Sequence, residues 1–217
     1  MAINVTVSSA GAVGPQGPVG SSGSSSSIIL FDDFISNTSV GGIGWTSSSA
    51  SGGSTSIIAS ESNHSGVVQL STGTSSASAY ANLFLGSNTI YLGNGTLDIE
   101  MLVRVPTLSS ASEEYVTRIG LGDTLNADHG NGLWFEYDRT TSVNWRICSS
   151  NASTSTKTSS STAVSENTWI KLKISVNAAA DTITYYVNGT SIGTIATNIP
   201  TTNPSGPRVH IVKSVGT

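Results

Sequence analysis

This 217-residue sequence has few charged residues, one cysteine and no long hydrophobic run. Charged residues make up 10% of the chain and the formal net charge is −4, which argues against a nucleic-acid-binding protein. With Cys148 alone, no intrachain disulfide is expected, and we interpret this residue as a small buried hydrophobic side chain. No segment approaches 18 apolar residues and residues 1–5 lack a secretory signal pattern, so we predict neither membrane insertion nor secretion.

Short runs with alternating apolar and polar residues dominate the chain after residue 28, and no amphipathic helix of three turns is visible. Leu97–Val105 and Trp169–Val176 alternate most clearly, and Asn188-Gly189 is typical of a tight hairpin turn. Together with Gly-, Asn- and Ser-rich turns, these runs predict an all-β fold, an antiparallel two-sheet jelly-roll sandwich. Further strands are predicted at Ile28–Phe34, Ser56–Ser60, Val67–Ser71, Ala79–Leu85, Tyr115–Leu121, Leu133–Tyr137, Val143–Cys148, Thr182–Val187, Ser191–Ile195 and Arg208–Lys213.

A glycine ladder with interspersed prolines lies near the N-terminus. It consists of Gly11, Gly14, Gly17, Gly20 and Gly23. Three polyproline-type chains can wind together only where every third residue lacks a side chain, which is the collagen pattern. The ladder therefore predicts a short collagen-like triple-helical stem and a homotrimer, and a flexible linker is the alternative.

The chain divides into three regions, which are an N-terminal anchoring strand at 1–10, a collagen-like stem and Ser-rich spacer at 11–27, and a jelly-roll head domain at 28–217. In the first region Ile3, Val5 and Val7 lie on one side of an alternating segment that is too short to fold alone. We expect this strand to dock on a capsid or tail protein, or to pair with its trimer mates.

Several motifs follow one another along the head, namely Phe31-Asp-Asp-Phe34, Gly44-Trp45, Arg118-Ile-Gly-Leu-Gly-Asp123, Gly132-Leu-Trp-Phe-Glu-Tyr-Asp138, Asn167-Thr-Trp169 and Tyr186-Val-Asn-Gly189. Together they resemble a concanavalin A-like (laminin-G-like) jelly-roll domain of bacteriophage tail fibres and other virion surface proteins. The resemblance covers roughly residues 28–217, and collagen-like stems are familiar in phage virion proteins. It implies a structural protein at the virion surface that decorates the capsid. The alternative is a tail fibre that recognises a host glycan.

One departure from this family concerns the last strand. Such domains usually have a further strand after the segment matching Val209–Lys213, and that strand pairs with the first strand of the domain. Since the sequence ends at Thr217, we expect Ile28–Phe34 to be covered by a partner or by a continuation of the chain.

Candidate catalytic and metal-binding residues are few. Asp98-Ile-Glu100 resembles part of the Glu-x-Asp-x-Glu motif of jelly-roll glycosidases, but we interpret it as a solvated sheet face and predict no enzyme, with a glycoside hydrolase as a minor alternative. Oxygen-bearing side chains in the segment Gly122–Gly132 leave a calcium site open, although tight turns use the same residues. We assign no metal and no cofactor.

Glycan binding would require an exposed aromatic ring with polar neighbours. Trp134, Trp145 and Trp169 fall within predicted strands and are interpreted as core residues. Trp45, beside Gly- and Ser-rich sequence, and His129 are the candidate glycan contacts.

Overall fold

The computed structural model describes residues 3–9, 26–35, 41–74 and 78–216, with the backbone alone at 3–9 and 26–29. All helical or extended elements assigned within these residues are β-strands. The described residues therefore contain no helix long and apolar enough to cross a membrane. The strands are β1 (Ile3–Ser9), β2 (Ser26–Asp32), β3 (Thr46–Ala50), β4 (Ser54–Ile58), β5 (Val67–Ser71), β6 (Tyr80–Phe84), β7 (Leu97–Val103), β8 (Glu114–Gly122), β9 (Gly132–Asp138), β10 (Ser142–Asn151), β11 (Thr154–Ala163), β12 (Ile170–Val176), β13 (Ile183–Val187), β14 (Thr190–Ile195) and β15 (Gly206–Val215).

The strands form two large sheets and a separate hairpin. The six-stranded sheet has the order β14-β13-β12-β7-β1-β2, and the seven-stranded sheet has the order β11-β10-β9-β8-β15-β6-β3. Strands β4 and β5 pair with each other in the hairpin. The pairs within each sheet are antiparallel, which confirms the predicted antiparallel two-sheet sandwich.

The hydrophobic core lies between the two large sheets and follows the alternation of the sequence. Leu97, Ile99 and Met101 of β7 are buried, whereas the residues between them are half-exposed. The Tyr185 hydroxyl of the six-stranded sheet donates a hydrogen bond of 2.6 Å to the carbonyl of Cys148 in the opposite sheet. Cys148 is buried as predicted, and burial raises the pKa of its thiol. The predicted hairpin at Asn188-Gly189 is also confirmed, with both residues at positive φ.

Two strands were missed by the sequence analysis, β3 and β11. Their sequences, TSSSA and TSTKTSSSTA, carry almost no apolar residues. Both strands lie at the edges of the seven-stranded sheet, where fewer side chains are buried by neighbours. An edge strand can therefore lack the alternating pattern on which the predictions depend.

The segment predicted as an anchoring strand forms β1 within the six-stranded sheet of the head. It pairs with β7, with Val5 opposite Ile99, and with β2, with Ser9 opposite Ser26. The first strand of the head thus has a neighbour from its own chain, where we expected cover by a partner or by a continuation. An alternating segment fits a sheet position within the head as well as a docking site, so the sequence does not separate the two. The predicted stem lies outside the described residues.

Candidate functional site

Five charged side chains meet on the outer face of the seven-stranded sheet, which is the face turned away from the core. Glu136 of β9 lies at the centre and is buried. It accepts hydrogen bonds from Arg118 Nε of β8 at 2.8 Å and from Arg146 Nη1 of β10 at 2.7 Å. Lys157 Nζ of β11 donates to Glu136 Oε2 at 3.0 Å, and Asp128 completes the group. We call these five residues the charged network.

Strand register places Arg118, Glu136 and Arg146 in one row across the sheet, while Lys157 lies opposite Cys148. Arg118 and Arg146 lie directly opposite Glu136 on the two neighbouring strands. Side chains alternate across a strand, so Phe135 and Tyr137 enter the core while Glu136 points outward. Four of the five charged side chains are therefore positioned by backbone pairing between strands, and Asp128 is the member that a loop supplies.

Residues 123–131 join β8 to β9 and fold over this face, and we call them the outer loop. The Asp128 carboxylate of this loop lies 2.8 Å from Lys157 Nζ and also accepts a hydrogen bond from Arg118. Burial alone would raise the pKa of Asp128, but Lys157 and Arg118 outweigh burial and lower it. The loop is thus joined to the network by two charge-assisted contacts.

Asp123 connects the two ends of the outer loop through hydrogen bonds. Its carboxylate accepts hydrogen bonds of 2.9 Å from the backbone N–H groups of Gly130 and Asn131, and one of 3.0 Å from the Thr124 hydroxyl. The acidic oxygens of this loop are therefore engaged by donors of the chain itself. Among the described residues, no group of three or more histidine, cysteine or acidic side chains is arranged to hold a metal ion.

His129 belongs to the outer loop, and its ring points inward onto the sheet. The ring is 2% exposed and packs edge-on against Trp134, with 5.0 Å between ring centroids. The ring also packs against that of His210 of β15, with 5.1 Å between ring centroids. A Cβ atom at Gly122 would overlap the His129 ring, so this close approach favours glycine at that position.

The two histidine rings between the outer loop and the sheet are held in the neutral form. Burial, followed by the nearby Arg208 and Arg118 guanidinium groups, lowers the pKa of His129 to about 3. Burial also places the pKa of His210 well below its usual value, and the charges of neighbouring groups act in the same direction. Arg118 Nη1 lies 3.0 Å from His210 Nε2, and since arginine only donates, that nitrogen is the acceptor.

The residues predicted to contact a glycan are not brought together at the surface. Trp45 is 7% exposed and packs against Phe34, with 5.6 Å between ring centroids. With His129 also buried, neither ring offers a free face on which a sugar could stack. Trp145 is in the core as predicted, whereas Trp134, although fully buried, lies on the outer face under the loop.

Trp169 was predicted as a core residue but is half-buried at the edge of the sandwich. His64 stacks on one face of its ring at 4.4 Å, and the Arg104 guanidinium lies 5.0 Å from the ring centroid. Its Nε1–H donates a hydrogen bond of 3.1 Å to Glu61. The indole is therefore fixed in place by three polar neighbours.

Asp98 and Glu100 lie on the outer face of the six-stranded sheet, as expected. Lys173 Nζ is 3.1 Å from Asp98, and Lys171 Nζ is 3.6 Å from Glu100. These are partly exposed ion pairs across neighbouring strands, which is typical of a solvated sheet face.

The charged network was not predicted from the sequence. Its members come from four strands and a loop, so no local motif contains them. A partial signal existed in the run Trp134-Phe-Glu136-Tyr-Asp138, where two acidic residues alternate with core aromatics. An acidic pair on one face of a strongly apolar strand indicates that this face needs cationic partners. The chain has only nine lysine and arginine residues that could supply them.

Residues 63–217 match the family model described as the SO2946-like C-terminal domain. The chain belongs to this family. The matched residues of this SO2946-like domain include the whole charged network and the outer loop. No curated protein is similar enough to the chain to count as a match.

Solved structures share the fold at low sequence identity. Protein SO2946 from Shewanella oneidensis MR-1 has a TM-score of 0.58 and 19% identity, covering 80% of this chain and 72% of that chain. The carbohydrate recognition domain of Emp47p has a TM-score of 0.54 and 11% identity, covering 85% and 87%. That of Emp46p, in its potassium-bound form, has a TM-score of 0.52 and 12% identity, covering 79% and 82%. At these identities the likeness establishes a lectin-like sandwich for this SO2946-like domain and nothing further.

Proposed function

We propose that this chain is a carbohydrate-binding module whose ligand contacts the exposed margin of the charged network. The observation that carries the proposal is the network itself, in which four strands and a loop hold five charged side chains in one arrangement. Buried ion clusters contribute little net stability, because desolvation offsets their attraction. A network that reaches solvent at one margin is better explained by recognition of a polar ligand.

The margin of the network offers the groups that sugar hydroxyls require. The Asp128 side chain is 51% exposed, and beside it the Lys157 and Arg146 side chains are 18% and 13% exposed. Each is already held by Glu136 or by its neighbours, so little side-chain entropy is lost when a ligand binds. The fold shared with the carbohydrate recognition domains of Emp46p and Emp47p supports the same class of ligand, by analogy of fold alone.

The geometry also supports binding rather than hydrolysis. A glycoside hydrolase needs one carboxyl group that donates a proton and a second carboxylate across the bond. Glu136 accepts hydrogen bonds from three cationic side chains, and Asp98 and Glu100 each face a lysine. These cationic neighbours favour the ionised carboxylates, which accept hydrogen bonds and do not donate a proton.

A glycan array probed with the full chain tests the proposal, with two variants that remove one cationic group each. Lys157→Met removes a charge-assisted donor from the network and should weaken glycan binding at least about tenfold. Lys173→Met makes the same change on the outer face of the other sheet and should bind as the wild type does. Equal binding by both folded variants, or a wild type that binds no glycan, would contradict the proposal.

The module is displayed as a homotrimer on the surface of a tailed-phage virion. Two features of the sequence support this part of the proposal, the glycine ladder at 11–23 and the resemblance of the head to phage surface proteins. Residues 1–10 serve as the attachment to a capsid or tail protein. Three heads on one stem would gain avidity for a glycan without any new contact.

The stem and the pairing of β1 exclude each other within one chain. Ser9 and Ser26 are partners in the sheet, so their Cα atoms lie about 5 Å apart. A triple helix over 11–23 would separate its two ends by roughly 40 Å, at about 3 Å per residue. Assembly of the stem therefore requires β1 to leave the six-stranded sheet, and this release makes residues 3–9 available to a virion partner.

Sedimentation equilibrium of the full chain tests the trimer. We expect a trimer for the wild type and for Gln16→Ala, which changes a position between two glycines of the ladder. Gly17→Ala places a side chain at the crowded axis and should shift the chain to monomer. A monomeric wild type, or a trimer that survives Gly17→Ala unchanged, would rule out the stem.

A further inference from the structure

A crevice of about 300 Å³ enters the sandwich at the edge covered by the β4–β5 hairpin. It lies on the inner side of the seven-stranded sheet, opposite to the face that carries the charged network. Apolar side chains from the hairpin and both large sheets form most of its wall, among them Val67, Leu70, Val105, Ile119 and Ile211. Exposed Gln69 and Thr107 lie at its mouth. The crevice thus joins solvent to the apolar interior.

Thr117 is a polar residue in the wall of this crevice. It lies on the inner face of β8 between Tyr115 and Ile119 and is 8% exposed. Within the described part of the chain, no hydrogen bond engages its hydroxyl group. The hydroxyl oxygen is not among the fully buried polar atoms that lack a partner, so it remains accessible from the crevice. The position is therefore suited to a hydrogen-bonding group supplied from outside.

The rim of the crevice is rigid and carries no free charge. Trp169 lines the crevice and is held between His64 and Arg104, as described above. Both terminal nitrogens of Arg104 donate to the Glu61 carboxylate, so the positive charge is neutralised within the chain. A preformed, neutral and largely apolar crevice favours an uncharged ligand.

We propose that this crevice binds a small neutral molecule that has an apolar body and one hydroxyl or carbonyl group, which bonds to Thr117. The volume is about twice that of an apolar protein cavity that holds benzene, so a substituted aromatic or short aliphatic molecule fits. A free sugar does not fit, because most of its hydroxyl groups would face apolar walls without partners. The site is separate from the charged network and stands independently of carbohydrate binding.

Two probes that differ by one hydroxyl group test the crevice on the full chain. Binding of p-cresol and toluene is measured by calorimetry, and methyl NMR identifies the side chains that respond. We expect p-cresol to bind the wild type, with shifts at Leu70, Ile119 and Ile211. Thr117→Val, which keeps the volume, should lower the ratio of p-cresol to toluene affinity about two- to tenfold.

A blocking variant and its control complete the test. Leu70→Trp fills the crevice from β5 and should abolish binding of both probes. Ile57→Trp makes a comparable change on the same hairpin at an exposed residue outside the crevice wall and should leave binding unchanged. The proposal is overturned if neither probe binds at millimolar concentration, if Leu70→Trp binds as tightly as Ile57→Trp, or if Thr117→Val leaves the affinity ratio unchanged.

Discussion

The outer faces of the two sheets carry the same kinds of ion pair in different surroundings. On the six-stranded sheet, Lys171–Glu100 and Lys173–Asp98 involve four side chains that are each 29–49% exposed. On the seven-stranded sheet, the Glu136 side chain is 1% exposed and is surrounded by three cationic groups. Both faces use cross-strand pairing of opposite charges. The surroundings of the charges, and not their type, distinguish a solvated face from a buried one.

The outer loop accounts for this difference. It places the His129 ring against Trp134 and His210, and Arg208 Nη1 fixes it by donating to the Thr124 carbonyl at 3.1 Å. The covered part of the sheet thereby becomes a second interior, in which polar groups need partners from the protein. On the other sheet water supplies those partners, so each ion pair there is dispensable.

Removal of the central carboxylate is the largest test of this comparison. Glu136→Gln leaves Arg118, Arg146 and Lys157 crowded without their shared counter-charge, and we expect the free energy of unfolding to fall by about 3–5 kcal/mol. Glu100→Gln removes an exposed partner and should cost less than about 1 kcal/mol. Urea unfolding of the two variants measures both values. Losses of equal size would show that the two faces are energetically alike.

The pH dependence of stability should report the two histidine rings that are buried between the outer loop and the sheet. Unfolded histidine titrates near pH 6.5, whereas folded His129 titrates at about 3 and folded His210 well below its usual value. As the pH falls below 6.5 the unfolded chain binds protons that the folded chain does not. The contribution of the two histidines to the free energy of unfolding should therefore be fully present above pH 6.5. Below pH 6.5 the free energy of unfolding should fall by about 1.4 kcal/mol per pH unit for each histidine.

Urea unfolding at pH 7, 6 and 5 measures this slope. His129→Phe should remove about half of it, because only His210 then contributes. His64→Gln is the control, since His64 lies at the edge of the sandwich beside Trp169 and away from the outer loop. A slope that is unchanged in His129→Phe would show that the ring is not protected by the loop.

Close contact between the outer loop and the sheet can be tested at a glycine. A Cβ atom at Gly122 would overlap the His129 ring, so Gly122→Ala should displace the loop and cost about 1–3 kcal/mol. Gly42→Ala meets no atom within 4 Å and should change stability by less than about 0.5 kcal/mol. Thermal unfolding compares the two. Equal melting temperatures would indicate that the loop accommodates the methyl group without moving.

The sequence predicted the strands that bury one face in the core. In β7 and β12 the side chains alternate between the core and the outer face. The same alternation of apolar and polar residues is present in the sequence, so both strands could be predicted from it. Strands β3 and β11 escaped this reasoning because they bury too few side chains at the sheet edges. The predicted strands are therefore those in which apolar and polar residues alternate because one face of the strand packs in the core.

The charged network and the position of Trp134 could not be predicted in the same way. Arg118, Glu136 and Lys157 become neighbours only through strand register, and the outer loop folds back over the buried Arg118 and Glu136. A charged residue on an outward position has the same sequence pattern whether it faces water or a loop. His129 was predicted as a glycan contact because of its residue type, but its burial depends on the conformation of the same loop.

The smallest expected effect concerns the coupling within single ion pairs. A double-mutant cycle on Lys173 and Asp98 should give about 0.2–1 kcal/mol, because both groups are partly exposed at 3.1 Å. This coupling should fall toward zero in 1 M NaCl, where screening acts over about 3 Å. The equivalent cycle on Arg146 and Glu136 should be larger and should keep most of its value in salt, since these groups are shielded from solvent. If both couplings respond to salt to the same extent, solvent reaches the charged network freely and the outer loop does not cover it.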